Sequence, residues 1–359
     1  MRTLALLLLF TALCAAQPAR AQADSAVFQD LLFDALQGDM HKVVTRLNTL
    51  DDAALSPDQM HKKHLLIRRF DGFDEDFVFP TRDSTLMNIM AIYLRYWGEV
   101  LLEGDTKEHE AGLAYRISEH LRTHVSALAK HKEGWTSKKW NELLDAHLKS
   151  LGCYAAIGKT GPFYDLLLHM QETEVRYPVT TPEDTLDVKV IFMDSVICNG
   201  WEGYATADTY FPGGWATNDA LYCHHSSYDL ASEQFSISYL KHEGKHFADY
   251  KRFPKLQSND LEYRAKLVEL GAATTTLYDL IRFFLGNNVY DANNAHAYAN
   301  FCVMRDMSRV LFHSEQEADL EAWKRLPVET VQRTATELLK KNSRDLENAG
   351  ARRVTAFIR

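Results

Sequence analysis

The chain is short of cysteine, short of basic charge and, past its first two dozen residues, without any long apolar run. Five cysteines in 359 residues exclude a disulfide-stapled mini-protein, which would be far richer in them. Acidic residues outnumber basic ones by 49 to 40, so the net charge is −9 and the basic footprint that nucleic acid or an anionic membrane needs is missing. No internal apolar run approaches the roughly 20 residues of a membrane helix. What is present is a hydrophobic fraction of 46%, too high for a disordered chain and enough for one large domain or two ordinary ones. Histidine is the other excess. There are 15, and the question is whether any stand at a spacing that chemistry requires.

Residues 1–23 read as a secretory signal peptide. Arg2 supplies a positive start, Leu4 to Ala16 form an apolar stretch broken only by Thr11, and Ala19-Arg20-Ala21 and Ala21-Gln22-Ala23 both offer a small-x-small cleavage pattern. Leu13 precedes Cys14 where a lipid-attachment signal wants a small residue, which points away from a lipoprotein. The expectation is an exported protein, periplasmic or secreted, with no transmembrane segment in the mature chain. Loss of Arg2 and Arg20 with the leader takes the net charge to −11. Export makes Cys153, Cys198, Cys223 and Cys302 candidates for up to two disulfides. Cys198 and Cys223 flank an irregular aromatic- and glycine-rich stretch, and theirs is the favoured pairing.

From Asp24 to about residue 180 the periodicity is helical. Apolar residues recur at three- and four-residue spacing in Phe28-Leu31-Leu32-Ala35-Leu36 and Leu86-Ile89-Met90-Ile92-Tyr93-Trp97, and further helices are expected over Leu113–Ala129, Trp140–Leu151 and Phe163–Met170. The character changes after Thr180-Thr181-Pro182. Val188–Met193 is rich in β-branched residues and predicts a strand, and Ala220–His224 predicts a second inside the loop-like residues 199–230. Ser232 is expected to cap a helix that Pro254 stops near Phe253. Asn259 or Asp260 caps another long helix ending at Gly286-Asn287-Asn288, and helical patterns resume over 294–312 and 315–349. The expected fold is α+β and predominantly helical: an all-helical region over 24–180, then a region over 181–359 with a small antiparallel sheet.

The helix after Ser232 carries His242-Glu243-Gly244-Lys245-His246, an H-E-x-x-H motif. Positions i and i+4 lie on one helical face about 6 Å apart, so both imidazoles can reach one tetrahedral ion. Glu243 follows the first histidine directly, where its carboxylate faces the open position of the ion and acts as general base on a bound water. Zinc lowers the pKa of that water towards roughly 7. The chain's own His and Glu frequencies give about a 4% expectation of one chance match. Tyr239, His242, His246 and Asp249 also share a stripe that a solvated surface helix would not need. His120 and His124 have the same spacing, but Leu121 follows the first of them, and the pair reads as structural.

Two histidines need a third protein ligand. Six residues after His246 stands Arg252 and not a histidine, whereas Glu262 opens the next helix in Asp260-Leu261-Glu262-Tyr263-Arg264-Ala265 and begins an E-x-x-A match. On these two segments, about 30 residues of 359, the chain resembles the gluzincin-type zinc metallopeptidases. The resemblance implies a zincin-like catalytic region with a helical C-terminal extension, one Zn2+ held by His242, His246 and Glu262, and Glu243 as general base. Glu269, seven residues on along the same face, is the alternative third ligand. Asp249 is a candidate partner for the second ring nitrogen of His246. His296, Tyr298, His313 and Tyr290 are candidates to stabilise an oxyanion, and His224 or His225 to line the cleft.

The function expected is an exported zinc-dependent hydrolase that cleaves peptide amide bonds, its partner a peptide or protein substrate, cell-wall peptides included. The rival reading is a helical binding or interaction protein whose metal site is structural or inactive. An intact Glu243 weighs against the rival, because a structural site needs no base there.

Overall fold

The computed structural model describes residues 27–28, 30–71, 78–104, 106–131 and 134–358. The expected signal peptide lies outside the described residues. The chain divides into two compact units, one comprising Met1–Leu168 with Ile197–Phe211 and the other His169–Val196 with Pro212–Arg359.

The first unit is built on α1 (Met40–Leu47), α2 (Pro57–Asp71), α3 (Ser84–Glu103), α4 (Lys107–His124) and α5 (Ser137–Ser150). Polar caps start these helices: Asp83 accepts the N–H groups of Thr85 and Leu86 at 2.8 and 3.0 Å, while Thr106 and Thr136 do the same for α4 and α5. Tyr93, Tyr96, Trp97 and Trp140 fill the interior. The Trp97 indole donates to the Tyr164 carbonyl at 2.9 Å, and the Tyr164 N–H donates to the Tyr96 hydroxyl at 3.1 Å.

Strands begin inside the stretch read as all-helical, with β1 (Tyr154–Thr160) and β2 (Phe163–Thr180). The helix expected over Phe163–Met170 is therefore part of β2. Its residues are apolar at nearly every position, a pattern that a strand buried on both faces shares with a buried helix, and pairing in the sheet settles the choice. Asp165 on this strand is buried and accepts the N–H groups of Leu166 and Trp201 at 2.9 and 2.8 Å. The chain reaches Trp201 through Gly200 at φ +79°, where a Cβ would lie 2.5 Å from Asp165 Oδ1, so only glycine fits.

After β3 (Thr185–Asn199) come α6 (Gly200–Ala205), β4 (Gly214–Ala216) and β5 (Leu221–His224). The predicted strands Val188–Met193 and Ala220–His224 fall on β3 and β5. The five strands form one sheet in the order β1-β2-β3-β5-β4. It is mixed and not antiparallel throughout: β5 pairs antiparallel with β4 but parallel with β3, with Val190 opposite Leu221 and Met193 opposite His224. The connection through residues 200–220, which contains α6, is long enough to return the chain in the parallel sense.

In the second unit, Val188, Val190, Phe192, Leu221 and Cys223 alternate onto one sheet face and pack on Phe235, Tyr239, Leu240 and Phe247. The last two of these belong to α7 (Leu240–Arg252), which continues a π-helical turn over Gln234–Tyr239. Ser232 Oγ accepts the Phe235 N–H at 3.1 Å, and the helix ends before Pro254, both as the sequence predicts. The single long helix expected next is two, α8 (Ser258–Ala272) and α9 (Leu277–Gly286). Glu233 causes the break, because its carboxylate accepts the N–H groups of Thr274, Thr275 and Thr276 at 3.1, 3.2 and 2.9 Å. Asp260 is not a cap but binds the N–H groups of Phe357 and Ile358. Pro327 likewise divides the pattern over 315–349 into α11 (Leu320–Lys324) and α12 (Val328–Gly350), after α10 (Ala295–Leu311). Helices α8, α9, α10 and α12 share a core that includes Leu267, Ile281, Met304 and Leu339.

The favoured disulfide does not form. None of Cys153, Cys198, Cys223 and Cys302 is in a disulfide, and Cys198 and Cys223 fall in different units. Burial pushes the thiols of both up to about 12, so each stays a neutral, inert group. No helix among the described residues is long and apolar enough to cross a membrane.

Candidate metal centre

The centre is assembled from α7 and α8, which pack side by side. Gly244, the first free position of the motif, lies against β2: a Cβ there would stand 3.0 Å from Val179 Cγ1, so the small residue lets the helix approach the strand closely. The neighbouring turns then carry His242 and His246 inward, each buried, with their Nε2 atoms 3.1 Å apart. From α8, Glu262 brings its carboxylate to 3.5 Å from His242 Nε2 and 3.2 Å from His246 Nε2. Among the described residues, His242, His246 and Glu262 form a group able to hold a metal ion, with ligand atoms all within 4.8 Å of one another.

The donor set fits a cation on its electrostatics as well as its spacing. Burial disfavours a charged ring at His242, but Glu269 and Glu262 prevail and push it up to about 10. Burial likewise opposes charge on Glu262, yet His296, His246 and His242 hold its carboxyl well below the usual range. Two buried carboxylates around two imidazoles thus call for positive charge, and a divalent ion answers the same demand with both rings neutral. Glu243 is placed differently. Burial pushes its carboxyl up, against the pull of His246 and His242, so it holds a proton more readily than a surface glutamate.

Glu269 is buried, and its Oε1 lies 2.6 Å from His242 Nδ1. It stands behind the ring and not beside Glu262 at the ligand position, a bond that fixes the ring's tautomer and aims Nε2 at the group's centre. Removing it should therefore act through the metal: Glu269→Ala is expected to weaken ion affinity about 10- to 100-fold, read by competition with a chromogenic chelator. Unchanged affinity would show that the contact orients nothing.

Asp249 does not reach His246. It joins a buried ion network that the spacing of residues gave no sign of. Lys245, wholly buried, has Glu183, Asp184 and Asp249 oxygens at 3.0, 2.8 and 3.2 Å. Arg264, equally buried, grips both oxygens of Asp249 at 2.7 and 3.1 Å and also reaches Glu183, Asn342 and Ser343. The network ties α7, α8, α12 and the turn at 181–184 together. Lys245 adjoins His246 and Arg264 lies two residues beyond Glu262, so it sets the register of the two helices that supply the ligands.

The remaining candidates separate. His296 at the start of α10 places Nδ1 2.9 Å from Glu262 Oε2 while its side chain stays 71% exposed. Tyr298 is buried and packs against Tyr290, the rings tilted 47° with centres 5.5 Å apart. His225 is bound to Asp194 at 2.9 Å and His224 to Ser226 at 3.1 Å. No protein-family model matches the chain, and no curated protein or solved structure shows significant similarity to it.

Proposed function

We propose that the protein is an exported zinc-dependent hydrolase of peptide amide bonds, of the gluzincin type that its two motif segments resemble. The observation that supports this most directly is the convergence of His242, His246 and Glu262 with Glu243 beside them on the same helix. Three protein donors, two imidazoles and one carboxylate, suit zinc and leave a coordination position open, as catalytic sites do and structural sites do not. His242 Nε2, His246 Nε2 and the Glu262 carboxylate would hold the ion. When bound, such an ion acts as a Lewis acid that lowers the pKa of water and polarises a carbonyl.

The chain's own groups do the rest. Glu243 accepts the proton of the attacking water on its carboxylate and delivers it to the departing amine nitrogen. Burial favours the protonated form needed for the second half of that transfer. Glu269 keeps the Nδ1 proton of His242 in place, so the lone pair stays on Nε2.

The test is a screen of the purified protein on denatured casein, peptide libraries and cell-wall peptides. Cleavage lost to a chelator and restored by zinc is the expected result. A preparation that binds no stoichiometric metal, or one that captures a protein tightly without turnover, would overturn the reading in favour of a binding module.

A further inference from the structure

The first unit holds a second concentration of imidazoles. His120 and His124, one turn apart on α4, have ring centres 4.2 Å apart, and His147 on α5 stands 5.6 Å from the first and 6.5 Å from the second. His120 and His147 are buried, and the Nε2 atom of each is enclosed without a hydrogen-bond partner. Buried polar atoms are normally paired, and here two unpaired ring nitrogens fall in one three-ring cluster. His124 supplies a third directed nitrogen: its Nδ1 lies 2.9 Å from the His120 carbonyl, which only an N–H can satisfy, so the neutral ring carries its lone pair on Nε2.

We propose that His120, His124 and His147 form a second metal site, one that takes an imidazole-seeking divalent ion such as Zn2+ or Ni2+. Metal–nitrogen bonds of about 2 Å place each ring centre about 3 Å from the ion, and a tetrahedral arrangement then sets ring centres about 5 Å apart. The observed 4.2, 5.6 and 6.5 Å bracket that value, and the His242–His246 pair of the first centre stands at 4.7 Å. The nitrogens here are not drawn together as those of the first centre are. The His120 and His124 rings lie nearly parallel, 21° apart, so closing the site needs turns of the His124 and His147 rings about their side-chain torsions.

The two buried rings also favour the neutral form that ligation needs. Burial, with repulsion from its two neighbours, holds His120 down to about 4, and burial lowers His147 against the pull of Asp83. Neutral imidazoles offer lone pairs at neutral pH without first losing a proton. The ion would join α4 to α5, so its binding should raise the thermal midpoint.

The experiment uses the full chain with the first centre disabled by His242→Ala and His246→Ala. After incubation with Zn2+ and dialysis, about one equivalent should remain by mass spectrometry, with X-ray absorption showing three imidazole nitrogens. Adding His147→Gln should weaken retention at least tenfold. A double variant that holds no metal, or one whose metal survives His147→Gln, overturns the proposal and leaves the first centre untouched. If these variants do not fold, Ni2+ titration of the unaltered chain decides: the ring signals of His120, His124 and His147 must broaden with a second equivalent, and their failure to do so refutes the site.

Discussion

Glu243→Gln should retain its metal and lose hydrolysis by roughly a hundred- to ten-thousandfold, the range in which a positioned general base acts. The amide keeps the shape and polarity of the carboxyl group but neither accepts the water proton nor returns it to the leaving amine. Glu243 makes no ligand contact with the His242, His246 and Glu262 group, so ion affinity should change little. The paired measurement is metal content by mass spectrometry alongside kcat on a cleavable peptide. Loss of activity together with loss of metal would make Glu243 a ligand or a structural residue. Full activity in the variant would remove it from the mechanism.

Arg264→Met should destabilise the fold by about 3–5 kcal/mol, the range for removing one partner from a buried ion pair. Its guanidinium makes five hydrogen bonds, to Asp249, Glu183, Asn342 and Ser343, and no part of the side chain reaches solvent. Methionine fills most of the volume but leaves Asp249 and Glu183 with Lys245 as their principal remaining buried cation. Urea unfolding measures the loss, and a change below about 1 kcal/mol would mean that water or Lys245 makes good the charge. Because Arg264 shares α8 with Glu262, ion affinity should fall in the folded fraction too. Lys at this position should recover little, since it has no planar fork to match the Asp249 carboxylate.

Much of the centre was legible in the sequence because its geometry is local. The i, i+4 spacing of His242 and His246 places both on one helical face whatever surrounds the helix, and Glu243 follows from the same periodicity. The strands at 188–193 and 220–224 were legible for a similar reason, since β-branched runs bounded by turn residues have few other uses. Phe163–Met170 was misread because a run of apolar residues carries no period, and only its neighbours in the sheet tell strand from helix. The break at 273–276 was hidden because its cause, the Glu233 carboxylate, lies about forty residues away in the chain. Glu269 stood out by its seven-residue spacing from Glu262, but spacing does not say whether a carboxylate meets an ion or the ring behind it.

The sequence by itself determined the predominantly helical α+β class, the helix that carries His242, Glu243 and His246, and Glu262 as the third donor to test. Only the tertiary structure decided that Lys245, Asp249 and Arg264 are a buried network, that Glu269 backs His242, that no disulfide joins Cys153, Cys198, Cys223 and Cys302, and that His147 stands against His120 and His124. The physical reason is the range of the interactions. Periodicity and capping act over a few residues and are written in order along the chain. Burial, charge pairing and the meeting of distant side chains depend on which surfaces pack together, and a charged residue has the same letter on a wet helix face as it has at the centre of a core.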